Sequence, residues 1–116
     1  MARVVAYVPD LLFGSNVLGG LTAAGHDAVL VSDRAGLERE LPGSQALVID
    51  LTADAQERIR HIEGVPRGDV KTLAFYSHVE ADVRAQAEQA GFDLVIPRSR
   101  MNREGAVLLT GLLETD

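Results

Sequence analysis

Five short runs rich in aliphatic and β-branched residues punctuate the chain: RVVAYV (residues 3–8), AVLVS (28–32), ALVID (46–50), TLAFY (72–76) and DLVIP (93–97). Most are apolar throughout rather than at every second position. A strand with one wet face alternates, whereas a strand covered on both faces need not. The runs therefore suit a parallel sheet covered by helices on both sides.

The intervening stretches carry helical marks. Phe13, Val17, Leu21 and Ala24 recur every three to four residues, and Gly25 follows as a stop. Asp33 can cap a short helix bearing Leu37 and Leu41, closed by Pro42-Gly43. Asp54 with Glu57 resembles a capping box, with Asp in place of the usual hydroxyl, ahead of Ile59 and Ile62. Residues 81–90 are good helix formers and end at Gly91. After PRSRMN, the run GAVLLTGLLETD reads as a last helix with Val107, Leu108, Leu112 and Leu113 available for burial. Strand and helix thus alternate five times. Such alternation predicts an α/β fold with right-handed crossovers: a five-stranded doubly wound parallel sheet, order 2-1-3-4-5, in a flavodoxin-like three-layer sandwich. The expected organisation is one domain over residues 1–116 with no output domain.

Composition removes several function classes. The chain has no cysteine, which excludes disulfides, thiol chemistry and thiolate zinc sites and fits a reducing, cytoplasmic setting. The N-terminus lacks the length and cleavage pattern of a signal peptide, and no apolar run reaches membrane-spanning length. A net charge of −6 and 4% aromatic residues argue against nucleic-acid binding. The one cluster of basic residues is Arg98, Arg100 and Arg103, read as a solvated loop or as an anion or docking face.

In a doubly wound sheet, ligands bind beyond the carboxyl ends of the strands, at the switch point between the first and third strands. That rim collects Val8, Pro9 and Asp10, then Asp50, Leu51 and Thr52, then Ser77 and His78, then Arg98 and Ser99. A carboxylate at a strand end can accept a phosphoryl group, a nearby hydroxyl can hydrogen-bond its oxygens, and a cation can neutralise them. Here the pattern resembles the receiver domain of two-component response regulators. The resemblance places Asp50 of ALVIDLTAD at the phosphoacceptor position, Ser77 of AFYSHVE at the hydroxyl position and Arg98 of AGFDLVIPRSR at the lysine position.

The departures shape the expectation. The family's acidic pair after strand 1, which holds Mg²⁺, falls on Val8 and Pro9, and Asp10 comes one residue late. Asp10 and Asp50 are then the candidate Mg²⁺ ligands, a thin set for a cation that needs oxygen donors. The Lys-Pro pair becomes Pro97-Arg98. The resemblance thus implies an atypical receiver: a signalling module binding a protein partner, with phosphotransfer to Asp50 weakened or lost. The alternative is a nucleotide or phosphometabolite site in the crevice at the ends of strands 1 and 3.

Each residue also has a structural reading. Asp50 can close an Asx turn, Asp10 can cap the first helix, and Ser77 can be a turn hydroxyl. His78 can titrate near neutral pH or simply sit in solvent, and His26 and His61 show no metal-ligand spacing with it. The glycines of FGSNVLGG can bring the first helix close to the sheet or to another subunit, or can cradle an anion. The apolar last helix suggests a homodimer face. No nucleophile, base and orienter form a set, so the chain reads as non-enzymatic apart from phosphoryl acceptance.

Overall fold

Each apolar run becomes one strand of a single sheet. The computed structural model describes residues 2–77 and 80–115. In chain order the elements are β1 (Arg3–Tyr7), α1 (Leu11–Ala23), β2 (Asp27–Val31), α2 (Arg34–Glu40), β3 (Ala46–Asp50), α3 (Ala55–Glu63), β4 (Lys71–Tyr76), α4 (Ala81–Gln89), β5 (Leu94–Pro97) and α5 (Arg98–Leu113). All paired strands are parallel, in the order β2-β1-β3-β4-β5. The register sets Tyr7 beside Ile49 and Asp50 beside Phe75. The doubly wound sheet expected from the sequence is therefore the one observed.

The sheet carries a core on each face. On one, Val5, Leu47 and Ile49 meet Leu37 and Leu41, Ile59 and Ile62, and Val83 and Ala87 from the α2, α3 and α4 side. On the other, Val4, Val48 and Phe75 meet Phe13, Val17 and Leu21 of α1 and Met101 and Leu109 of α5. Every residue of β3 is buried, while edge strand β2 is only half-covered. This explains the uninterrupted apolar run of β3: neither face sees water.

Local chemistry sets the helix starts. The Asp10 carboxylate accepts the Phe13 N–H at 2.9 Å, and the Asp33 carboxylate accepts the Gly36 N–H at 2.8 Å. Gly14 lets α1 approach the sheet: a Cβ there would lie 3.1 Å from the Val8 carbonyl oxygen and from the Leu30 methyls. Gly19 and Gly20 face open space instead.

Two local expectations are corrected. The last helix begins at Arg98, so RSRMN is its first turn and a half rather than a loop, with Pro97 as its N-cap. Arg100 and Glu104 pair at 3.1 Å along it, and the buried stripe is Met101, Gly105 and Leu109. Gly105 lies within the helix and seats the Met101 side chain, which a Cβ would strike. Val107 remains 75% exposed, with Leu108, Leu112 and Leu113 half-buried. Asp54 forms no capping box. It adopts a left-handed backbone, φ 50°, and its side chain makes no cap hydrogen bond. Asp tolerates that region better than most residues. Among the described residues no helix is long and apolar enough to cross a membrane.

Candidate functional site

Asp50 ends β3 and is 4% exposed. Its Oδ1 accepts two hydrogen bonds from Thr52, from the backbone N–H at 2.8 Å and from Oγ1 at 2.5 Å. Its Oδ2 lies 3.6 Å from Nη1 of Arg58, and the same Nη1 donates to the Asp50 carbonyl oxygen at 2.7 Å. Arg58 stands one turn into α3, and its side chain is only 11% exposed. Its other terminal nitrogen is 4.0 Å from Asp54. A single guanidinium therefore ties the end of β3 to the start of α3, where water screens the pair little.

Arg58 was not singled out by sequence reasoning. It sits beside Ile59 in a helix patterned Ile-x-x-Ile, and nothing local marks it as different from Arg60. The useful signal is indirect. A carboxylate at a buried strand end needs a cation, and the helix that follows it in the chain is a near source.

Asp10, Ser77 and Arg98 share one cavity at the rim. They line a cavity of about 550 Å³ with Leu12, Phe13, Asn16, Ser99 and Asn102. Asp50 is not part of this lining. The Arg98 guanidinium carbon lies 4.3 Å from the centre of the Phe13 ring, and Phe13 packs on Phe75 with ring centres 5.1 Å apart. The Ser77 carbonyl accepts the Glu80 N–H at 2.9 Å. His78, the remaining rim candidate, lies outside the described residues.

The residues do not suit a divalent cation. Val8 and Pro9 offer no side-chain oxygen, one oxygen of Asp10 caps α1, and both oxygens of Asp50 already have partners. Among the described residues no group of three or more His, Asp or Glu is placed to hold a metal ion. A hard cation prefers several free oxygen ligands, and this donor set does not provide them.

Below the rim, Tyr7 ends β1 on the α3 side. Its hydroxyl is 2.9 Å from Nδ1 of His61, the rings stack, and Nε2 of His61 is 3.7 Å from Glu57. Burial pushes the Tyr7 phenol above its ordinary range, against the opposing pull of Arg58. His26 is engaged on the other side of the sheet, with Nε2 2.9 Å from Thr110 Oγ1, which itself donates to the Ala106 carbonyl.

No family model matches the sequence, and no curated protein matches it. Solved structures do. A response regulator from Thermotoga maritima is 13% identical, with 99% of each chain covered and a TM-score of 0.83. A response regulator receiver protein from Burkholderia phymatum is 17% identical, with 100% of this chain and 98% of that one covered and a TM-score of 0.78. An atypical orphan response regulator, described with a phosphorylation-independent regulatory mechanism, is 14% identical over 98% of this chain and 97% of that one, with a TM-score of 0.77. Over nearly its whole length, the chain has the fold of response regulator receiver domains.

Proposed function

We propose that this chain is a receiver-like signalling module that works by binding a protein partner, with phosphotransfer to Asp50 weak or lost. The observation that carries this is the state of the Asp50 carboxylate. An acceptor must present a free oxygen lone pair to phosphorus while a cation offsets the charge gathering on the transferring group. Here Thr52 occupies one oxygen and Arg58 neutralises the other, so the charge that would attack is already paired. Were transfer to occur, Asp50 would be the nucleophile, Ser77 and Arg98 would receive the phosphoryl oxygens, and Asp10 would assist Mg²⁺. Against that, Ser77, Arg98 and Asp10 line a cavity that Asp50 does not.

The module is regulatory rather than enzymatic and operates in the cytoplasm, a setting that the lack of cysteine supports. It associates as a homodimer through α5, where Val107 is 75% exposed among half-buried leucines. The similarity to an orphan regulator described as phosphorylation-independent supports the same direction.

The experiment is incubation with acetyl phosphate and Mg²⁺, read by intact mass. The expected result is no phosphorylated species above the level seen with Asp50→Ala. Stoichiometric phosphorylation that disappears in Asp50→Ala overturns the proposal.

A further inference from the structure

The cavity at the ends of β1, β4 and β5 holds chemistry that a module with a silent Asp50 leaves unused. Its volume, about 550 Å³, is that of a small-molecule site. Two charged side chains line it, Arg98 and Asp10. The Arg98 guanidinium is laid on the Phe13 ring, and Phe13 is held in turn by Phe75. A stacked guanidinium keeps its N–H edge free and loses little freedom when it binds. Among the described residues Arg98 forms no ion pair. Asp10 uses one carboxylate oxygen to cap α1, and among the described residues the second has no hydrogen-bond partner.

These two charges narrow the ligand. An anionic group suits Arg98, yet Asp10 in the same lining repels a bare anion. A ligand that satisfies both has an anionic end and, a few bonds away, hydroxyl or amine donors. Leu12, 78% exposed, adds an apolar ledge beside the cavity, and Asn16 and Asn102 add paired donors and acceptors. We propose that this cavity binds a nucleoside monophosphate. The phosphate lies toward Arg98, Ser99 and Ser77, the ribose hydroxyls toward Asp10 and Asn16, and the base toward Leu12 and Asn102. This goes beyond the reading above, since it holds whether or not a partner protein binds and does not involve Asp50. It also places the ligand at the ends of β1, β4 and β5 rather than at the β1 and β3 crevice.

The test is an amide NMR titration of the full chain with AMP, GMP, CMP and UMP, and in parallel with ribose 5-phosphate and inorganic phosphate. At least one nucleotide is expected to move the amides of Asn16, Ser99 and Asn102 with millimolar or tighter affinity, and inorganic phosphate to bind at least about tenfold more weakly. Arg98→Gln is expected to weaken the nucleotide by about tenfold or more while the protein remains folded, with a melting temperature lowered by only a few degrees through loss of the Phe13 contact. Asp10→Asn keeps the helix cap, so it is expected to fold normally, weaken the nucleotide and strengthen inorganic phosphate. No response to any nucleotide overturns the proposal, as does inorganic phosphate or ribose 5-phosphate binding as tightly as the best nucleotide. So does nucleotide binding that Arg98→Gln leaves unchanged.

Discussion

Replacing Arg58 with methionine removes the cation from Asp50 while keeping an unbranched apolar stem in the same packing. At the observed 3.6 Å, two unit charges attract by about 4–5 kcal/mol at an effective dielectric of 20. Both side chains are largely buried, 11% and 5% exposed, so solvent does not replace the lost partner. Breaking a buried pair by removing one member costs about 3–5 kcal/mol. Thr52 still donates twice to Oδ1, which puts the expected loss near the lower end, about 3 kcal/mol. For a domain of this size that is a fall in melting temperature of roughly 10 °C. Asp50→Asn keeps an acceptor for Thr52 but removes the charge that Arg58 pairs with. The double variant should therefore lose less than the sum of the two single losses, by about 1–3 kcal/mol. Urea unfolding of the four proteins, read by far-UV circular dichroism, measures both quantities. If Arg58→Met lies within about 0.5 kcal/mol of the parent, or if the two losses simply add, the pair does not hold the strand end as described.

Three glycines of one helix should respond with opposite signs. Gly14→Ala brings a Cβ to 3.1 Å from the Val8 carbonyl oxygen and the Leu30 methyls, and should cost about 1–3 kcal/mol despite alanine's better helix propensity. Gly19→Ala and Gly20→Ala enter open space and should each gain about 0.5–1 kcal/mol, and denaturant midpoints separate the two cases. Tyr7 makes the fold sensitive to alkali. Its phenol is raised above the usual 10.0 by burial, so at high pH the unfolded chain releases its proton first and the folded chain binds more protons. Stability should hold below about pH 10 and fall as pH rises through the folded phenol's range, and this part of the loss should be absent in Tyr7→Phe. Equal losses in both proteins between pH 9 and 11, by urea unfolding, contradict that origin.

Much of this fold was readable because its signals are local. The run ALVID ends at the observed end of β3, since a fully buried strand must stay apolar until it meets the rim. Asp33 caps α2 as its position suggests, because a cap needs only the three residues that follow it. What was hidden depends on distant partners. Arg58 looks like any helix-surface arginine until the end of β3 is set beneath it. Asp54 reads as a cap because the left-handed turn that displaces it lies between Asp50 and Arg58, which are themselves tied together by tertiary contact. The start of α5 was missed because Pro97 and three arginines imitate a loop. The Phe13 ring that receives the first of those arginines belongs to the opposite end of the chain. The rim residues were found by topology alone, but topology does not tell that Asp10, Ser77 and Arg98 line one cavity whose lining does not include Asp50.

The most direct measurement of the central claim is a beryllofluoride titration in the presence of Mg²⁺, followed at the Thr52 backbone amide by NMR. That amide donates to the Asp50 carboxylate and must change if the oxygen acquires a phosphoryl-like group. With both oxygens engaged by Thr52 and Arg58, the Thr52 resonance is expected to stay in place in the parent protein. Saturable movement at Thr52 that Asp50→Ala abolishes would show an open acceptor and contradict the account.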